Sequence, residues 1–112
     1  MKCFNLTTGK VIARDLKMVD TFFGRLRGLL ATTSLKEGSG IILKPCTQIH
    51  TFFMLYSIDV IFVDKDFKVL NVIENMKPWR ISALLLKSLY AVELPSGTLK
   101  GSVNSGDKIC FK

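Results

Sequence analysis

The most informative residue for chemistry is Asp59, a carboxylate inside the otherwise apolar stretch Ile58–Val63. A buried carboxylate must accept hydrogen bonds, pair with a cation or take up a proton. A structural Asp59 would accept backbone N–H groups or pair with an arginine, whereas a functional Asp59 would face a pocket. Because structural networks also perturb carboxylates, we favour the structural interpretation.

His50 is the only histidine and lies in the stretch Ile49–Met54, one short loop before Ile58–Val63. In an antiparallel hairpin, residues 50 and 59 face each other when the loop has an even number of residues. An imidazole facing a carboxylate can act as an acid or a base, or it can simply satisfy a buried acid. We rate the second role higher.

Cys46 lies four residues before His50. On a strand such positions are ~13 Å apart, which is too far for one zinc ion. A bend at Thr47–Gln48 would permit Cys–His nucleophilic catalysis, although most lone cysteines are small packing residues. The phosphate-loop, dinucleotide and zinc-protease motifs are absent from the sequence, so we expect neither a cofactor nor a metal.

Short strands are predicted to position these residues. A hairpin turning at Gly9 opens the chain, and a helix with apolar side chains at helical spacing is predicted near residues 20–31. Stretches rich in β-branched and aromatic residues predict strands. They are Ile41–Leu43, Ile49–Phe53, Ile58–Val63, Val69–Ile73, Tyr90–Leu94 and Lys108–Phe111. The expected fold class is α+β, with a mostly antiparallel sheet or a small, partly closed barrel and one main helix.

Composition restricts the class of protein. The chain has 112 residues, 48% of them hydrophobic, and a formal net charge of +7. We expect one globular domain, residues 1–112, because domains typically run to about 100–150 residues. The basic residues are dispersed, which favours a solvated surface over a nucleic-acid site. No apolar stretch approaches the ~20 residues of a membrane span. Three cysteines without C-x-x-C spacing favour a reducing compartment, and we expect the cytoplasm.

Four segments of the chain together resemble one family, the domain of unknown function 192. Its characteristic segments "R-x-R-G-L-M", "F-W-M … L-D-I-I-F-I-D", "L-E-L-P-A-G-T" and "x-G-D-x-V" occur here in the same order. They correspond to Arg25–Leu30, Phe52–Met54 with Ile58–Asp64, Val92–Thr98 and Ser105–Ile109. Leu30 and Phe53 stand where the family usually has Met and Trp, and both replacements keep an apolar side chain.

The resemblance brings no established activity, but it singles out charged positions. Its shared polar residues suggest a ligand-binding set of Arg25, Arg27, Asp59, Glu93 and Thr98, in which Asp59 and Glu93 face a common groove and an arginine neutralises one of them. Such a cluster would be a small polar pocket in an apolar domain.

Three functions remain open. The leading hypothesis is a non-enzymatic protein that binds a small ligand or a protein partner through a polar pocket around Asp59 or through an exposed apolar edge. The first alternative is a small hydrolase or transferase that uses Cys46 or His50 with Asp59. The second alternative is a basic RNA-binding module, with Tyr56 and Trp79 as candidate stacking residues; Phe52 and Phe53 are interpreted as core.

Overall fold

The computed structural model describes residues 1–20 and 35–112, and these residues form strands in two sheets. The strands are β1 (Cys3–Asn5), β2 (Lys10–Ala13), β3 (Asp15–Val19), β4 (Ser39–Leu43), β5 (Ile58–Asp64), β6 (Val69–Met76), β7 (Ser88–Pro95) and β8 (Ile109–Phe111). The small sheet has the order β2-β1-β8, and the large sheet has the order β3-β4-β7-β5-β6.

The predicted α+β fold class is wrong: residues 1–20 and 35–112 form an all-β fold with two sheets and no helix. The prediction assumed that a helix with this apolar spacing would cover the sheet. In the structure two sheets pack against each other and bury the core. The predicted helix near residues 20–31 lies outside the described residues from position 21 onward. Within the part that is described, no helix is long and apolar enough to cross a membrane.

Two further strand assignments differ from the sequence prediction. Asp15–Val19 is a strand that was not predicted, because only Leu16 and the two last residues give it an apolar signal. Ile49–Phe53 was predicted as a strand, but its residues make only an isolated bridge, between His50 and Ile81. Ile49 covers the sheet from a loop, so its burial does not come from strand pairing.

Ile58–Val63 is apolar on both alternating faces except at Asp59, which predicts a central strand covered on both sides. The structure confirms this prediction. β5 lies between β6 and β7 and pairs with both in antiparallel orientation. All its residues except the last are buried. Successive side chains on a strand point to opposite faces. Ile61 and Val63 therefore contact one core, and Val60 and Phe62 contact the other.

The two cores define the two faces of the large sheet. The inner face packs against the small sheet, since Cys3, Ala13 and Ile109 share a cluster with Ile61 and Val92. The opposite face, which we call the loop face, is covered by apolar side chains of the loops that follow β4 and β6. Those covering side chains include Ile49, Met54, Tyr56 and Leu85.

The small sheet joins the two ends of the described chain. The backbone N–H of Lys2 donates to the Lys112 carbonyl at 2.6 Å, and the N–H of Lys112 donates to the Lys2 carbonyl at 2.8 Å. In the same ladder Cys3 lies opposite Phe111, and Phe4 lies opposite Cys110. The two cysteines therefore point to opposite faces of the small sheet. Burial raises the pKa of the Cys3 thiol to about 12, and the nearby Cys110 makes a smaller contribution in the same direction.

We expect Phe62→Ala to lower the free energy of unfolding by about 3–5 kcal/mol, because it removes a fully buried ring from the centre of β5. Urea unfolding of both proteins measures the difference. Phe53→Ala is the matched control, since the Phe53 ring is 71% exposed and its loss should cost less than about 1 kcal/mol. Equal effects of the two substitutions would contradict the central position of β5.

Candidate functional site

Asp59 is fully buried on the inner face of the large sheet. The backbone N–H of Asn75 donates to its Oδ1 at 2.8 Å, and the backbone N–H of Leu99 donates to its Oδ2 at 3.0 Å. Asn75 has a φ of 55° beside the irregular β5–β6 pairing. Each oxygen of the Asp59 carboxylate therefore binds a backbone N–H in a segment that departs from regular strand pairing.

Thr98 belongs to the turn that Asp59 anchors. Its Oγ1 donates to the Pro95 carbonyl at 2.6 Å, and its backbone N–H donates to the same oxygen at 3.1 Å. Ser96 Oγ donates to the Asn75 side chain at 2.8 Å and closes the turn against β6. These contacts give the polar residues around Asp59 local hydrogen-bond partners.

Glu93 lies on the other side of the sheet from Asp59. Asp59 is opposite Leu94 and Val60 is opposite Glu93, and directly paired residues point to the same face. Asp59 thus lies on the inner face with Leu94, and Glu93 lies on the loop face with Val60. The structure does not bring these two carboxylates into a common groove.

The Glu93 carboxyl is buried among apolar residues. Its side chain is 5% exposed, and no described residue donates a hydrogen bond to its carboxylate. Burial raises the pKa of this carboxyl to about 7. A Cβ atom at Gly40 would collide with the Glu93 carbonyl oxygen, so β4 must have glycine where it passes Glu93.

The structure does not place His50 opposite Asp59. β5 is flanked by β6 and β7, whereas His50 bridges to Ile81 and is exposed. The His50 ring stacks on Phe52 at 4.8 Å, and its Nδ1 accepts the Phe52 backbone N–H at 3.2 Å. Cys46 Sγ donates to the Gln48 carbonyl at 3.3 Å. Arg25 and Arg27 lie outside the described residues, and no metal-binding group of three His, Cys, Asp or Glu occurs among the rest.

The surface that stands out is formed by two neighbouring loops, residues 47–57 and 77–87, which we call the recognition loops. Phe53 and Trp79 pack against each other with ring centroids 4.6 Å apart, and Phe52 stacks on Trp79 at 5.9 Å. Phe53 is 71% exposed and Trp79 is 56% exposed. Phe52, Phe53, Trp79 and His50 form what we call the aromatic platform.

Two exposed residues of the aromatic platform, Phe53 and Trp79, have an unfavourable backbone. Phe53 has a φ of 66° and Trp79 has a φ of 64°. This left-handed region is sterically costly for bulky residues other than glycine. Strain of this kind persists only where the surrounding structure enforces it, and it is concentrated at functional sites.

Thr51 enforces the conformation of the aromatic platform. Its side chain is fully buried, donates from Oγ1 to the Lys77 carbonyl at 2.6 Å and accepts the Arg80 N–H at 2.9 Å. Its backbone carbonyl accepts the Trp79 N–H at 3.0 Å, and its backbone N–H donates to the Arg80 carbonyl at 2.9 Å. One threonine therefore fixes the second loop on both sides of Trp79.

The sequence interpretation of Phe53 as a core residue is wrong. Its neighbour Met54 is buried instead, because the chain turns at Thr51–Met54 and does not continue as a strand. Pro78 beside Trp79 was a signal of irregular structure, since proline cannot donate in a ladder. Nothing in the sequence indicated that Thr51 would join the two loops.

A separate groove of about 700 Å³ lies beside the small sheet. Leu6, Phe67 and Phe111 are among its lining residues, and none of the site residues predicted from the sequence lines it. It is therefore independent of the recognition loops.

Comparison with known proteins gives a consistent family match. Residues 4–111 match the profile of DUF192, described as an uncharacterized ACR. A UPF0127 protein of Thermococcus sibiricus is 39% identical over 99 residues, which are 85% of this chain and 64% of that protein. A UPF0127 protein of Pyrococcus horikoshii is 40% identical over 101 residues, which are 85% of either chain. The match thus spans less than two thirds of the Thermococcus sibiricus protein.

Solved structures with a similar fold include one from a bacterium. The crystal structure of a protein of unknown function from Novosphingobium aromaticivorans superposes with a TM-score of 0.82 and 21% sequence identity, covering 98% of this chain and 82% of that one. At this identity the likeness extends to the fold alone.

We expect Asp59→Asn to lower the free energy of unfolding by about 2–4 kcal/mol, because an amide offers only one acceptor oxygen to two buried N–H donors. Thermal unfolding at neutral pH measures the change, with the exposed Asp66→Asn as the matched control. A midpoint equal to or above that of the wild type would mean that Asp59 does not hold the sheet and would return it to the functional candidates.

Glu93 predicts a pH dependence of stability. The folded protein raises the Glu93 pKa from 4.5 to about 7, so its contribution is fully present below pH 4.5 and is lost as the pH rises through 7. At pH 8 we expect Glu93→Gln to be more stable than the wild type by about 3 kcal/mol, and the gap should close near pH 4. Urea unfolding across this range measures it. An identical pH profile for Glu93→Gln and the wild type would refute the assignment, and the exposed Glu37→Gln is the control.

Proposed function

The chain belongs to the DUF192 family of uncharacterized proteins, and from its geometry we propose that it is a non-enzymatic binding protein whose recognition surface is the aromatic platform with the recognition loops around it. The observation that carries this proposal is the exposed pair Phe53–Trp79, two bulky residues held in the left-handed region. Each costs of order 1–3 kcal/mol in backbone strain. Because neither side chain is buried, burial of the two rings does not compensate that cost.

The distribution of exposed apolar residues supports the same surface. In the described ranges 1–20 and 35–112, ten large hydrophobic side chains are exposed, and six of them belong to the recognition loops. These six are Phe53, Leu55, Trp79, Ile81, Leu84 and Leu86. Single exposed hydrophobic residues are ordinary, whereas a concentration of them is typical of an interaction site.

In this proposal the polar residues around Asp59 form the framework and not the ligand site. Their hydrogen bonds are directed to backbone groups and to one another. The enzymatic alternative has less support, since His50 is directed outward beside Ile81 and Asp59 is buried on the inner face.

Trp79 is the only tryptophan, so its fluorescence reports on the recognition surface directly. We expect an emission shift when the full chain is titrated with lipid vesicles or RNA, which contain no tryptophan, or a shift of the fluorine resonance of 5-fluorotryptophan at position 79 when it is titrated with cell proteins. Phe53→Ser should weaken the responsible interaction at least about tenfold, which is the loss of roughly 1.4 kcal/mol of apolar burial.

The matched control is Leu6→Ser, which removes an exposed leucine beside the small sheet. It should bind as the wild type does. If none of the three shifts the signal of Trp79, or if Leu6→Ser weakens binding as much as Phe53→Ser, the recognition loops are not a binding surface.

A further inference from the structure

Resting on the proposed function, we propose that the recognition loops dock on the surface of a lipid bilayer with anionic headgroups. The surface combines strongly exposed aliphatic side chains, one interfacial tryptophan and cations, without any acidic side chain. Peripheral membrane proteins bind through this combination of buried apolar area and attraction to anionic lipids.

The apolar part of the surface fits acyl chains. Leu86 is 80% exposed, Leu55 is 76% exposed and Ile81 is 60% exposed. Nucleic-acid bases stack on aromatic rings and have no comparable use for aliphatic side chains. Trp79 supplies the amphipathic ring that is enriched at membrane–water interfaces.

The charge of the surface favours a bilayer over a protein. Lys77, Arg80 and Lys87 lie in the second recognition loop, all three are exposed, and residues 47–57 and 77–87 contain no Asp or Glu. Lysine is depleted at protein–protein interfaces. At a membrane, lysine and arginine reach anionic headgroups while neighbouring apolar side chains enter the boundary with the acyl chains.

Hydrogen bonds between the recognition loops hold the proposed docking surface together. The N–H of Ser82 donates to the Ile49 carbonyl at 2.9 Å, and the N–H of Leu85 donates to the Thr47 carbonyl at 2.8 Å. Ser82 Oγ accepts the Ile49 N–H at 3.0 Å. These contacts join the two loops, so the surface that meets the bilayer is already ordered before it docks.

The experiment titrates the full chain with vesicles of phosphatidylcholine alone and of phosphatidylcholine with phosphatidylglycerol, and follows Trp79 fluorescence. We expect binding to the anionic vesicles, a blue shift, quenching by lipids brominated on the acyl chain, and weaker binding as salt rises. Leu86→Ser should weaken binding at least about tenfold, and Arg80→Gln about fivefold.

The controls are Leu6→Ser and Arg14→Gln, which make the same chemical changes at exposed positions outside the recognition loops and should bind as the wild type does. Melting temperatures confirm that all four variants are folded. Binding without quenching by brominated lipid, or equal loss in variants and controls, overturns the proposal.

A Trp79 shift with cell proteins or RNA and none with vesicles overturns membrane docking but leaves the binding surface in place. The absence of a shift with any of the three overturns the proposed function as well. The two failures are therefore distinguishable.

Discussion

A carboxylate in the middle of the central strand is the constraint on which the architecture depends. β5 is covered on both faces, so water cannot solvate Asp59 and the fold must supply its donors. Those donors are the N–H groups of Asn75 and Leu99, which belong to an irregular part of β6 and to the turn after β7. The hydrogen bonds that the buried carboxylate requires thus fix the positions of two segments that regular strand pairing would not fix.

On the loop face, too, a buried polar side chain holds irregular backbone in place. There, Thr51 is a buried polar residue whose side-chain partners are backbone atoms of the facing loop. The loops turn Ile49, Met54 and Leu85 toward the sheet and leave Phe53 and Trp79 outside. A layer of irregular chain can therefore bury a sheet face and present a rigid surface at once, because internal hydrogen bonds replace those of regular secondary structure.

Local signals predicted the central parts of the fold but not its loops. Apolar residues on both faces identified Ile58–Val63 as a central strand, and Gly9 marked the turn of the opening hairpin. Ile49–Phe53 has the composition of a strand, yet tertiary contacts make it a loop, and composition does not distinguish these two ways of burying the same side chains. The separation of Asp59 from Glu93 follows from the register of β5 and β7, which hydrophobic pattern alone left open.

The backbone hydrogen bonds between Lys2 and Lys112 hold the two ends of the described chain side by side in the small sheet. Chain ends that already pair across a ladder can be joined by a short hairpin linker, and a new opening can be placed in the exposed turn at Lys65–Asp66 between β5 and β6. Such a circular permutant would keep the neighbours of every strand in both sheets while it changes the order in which the strands are synthesised. Folding of this permutant would show that the architecture is specified by which strands are neighbours and not by which strand comes first.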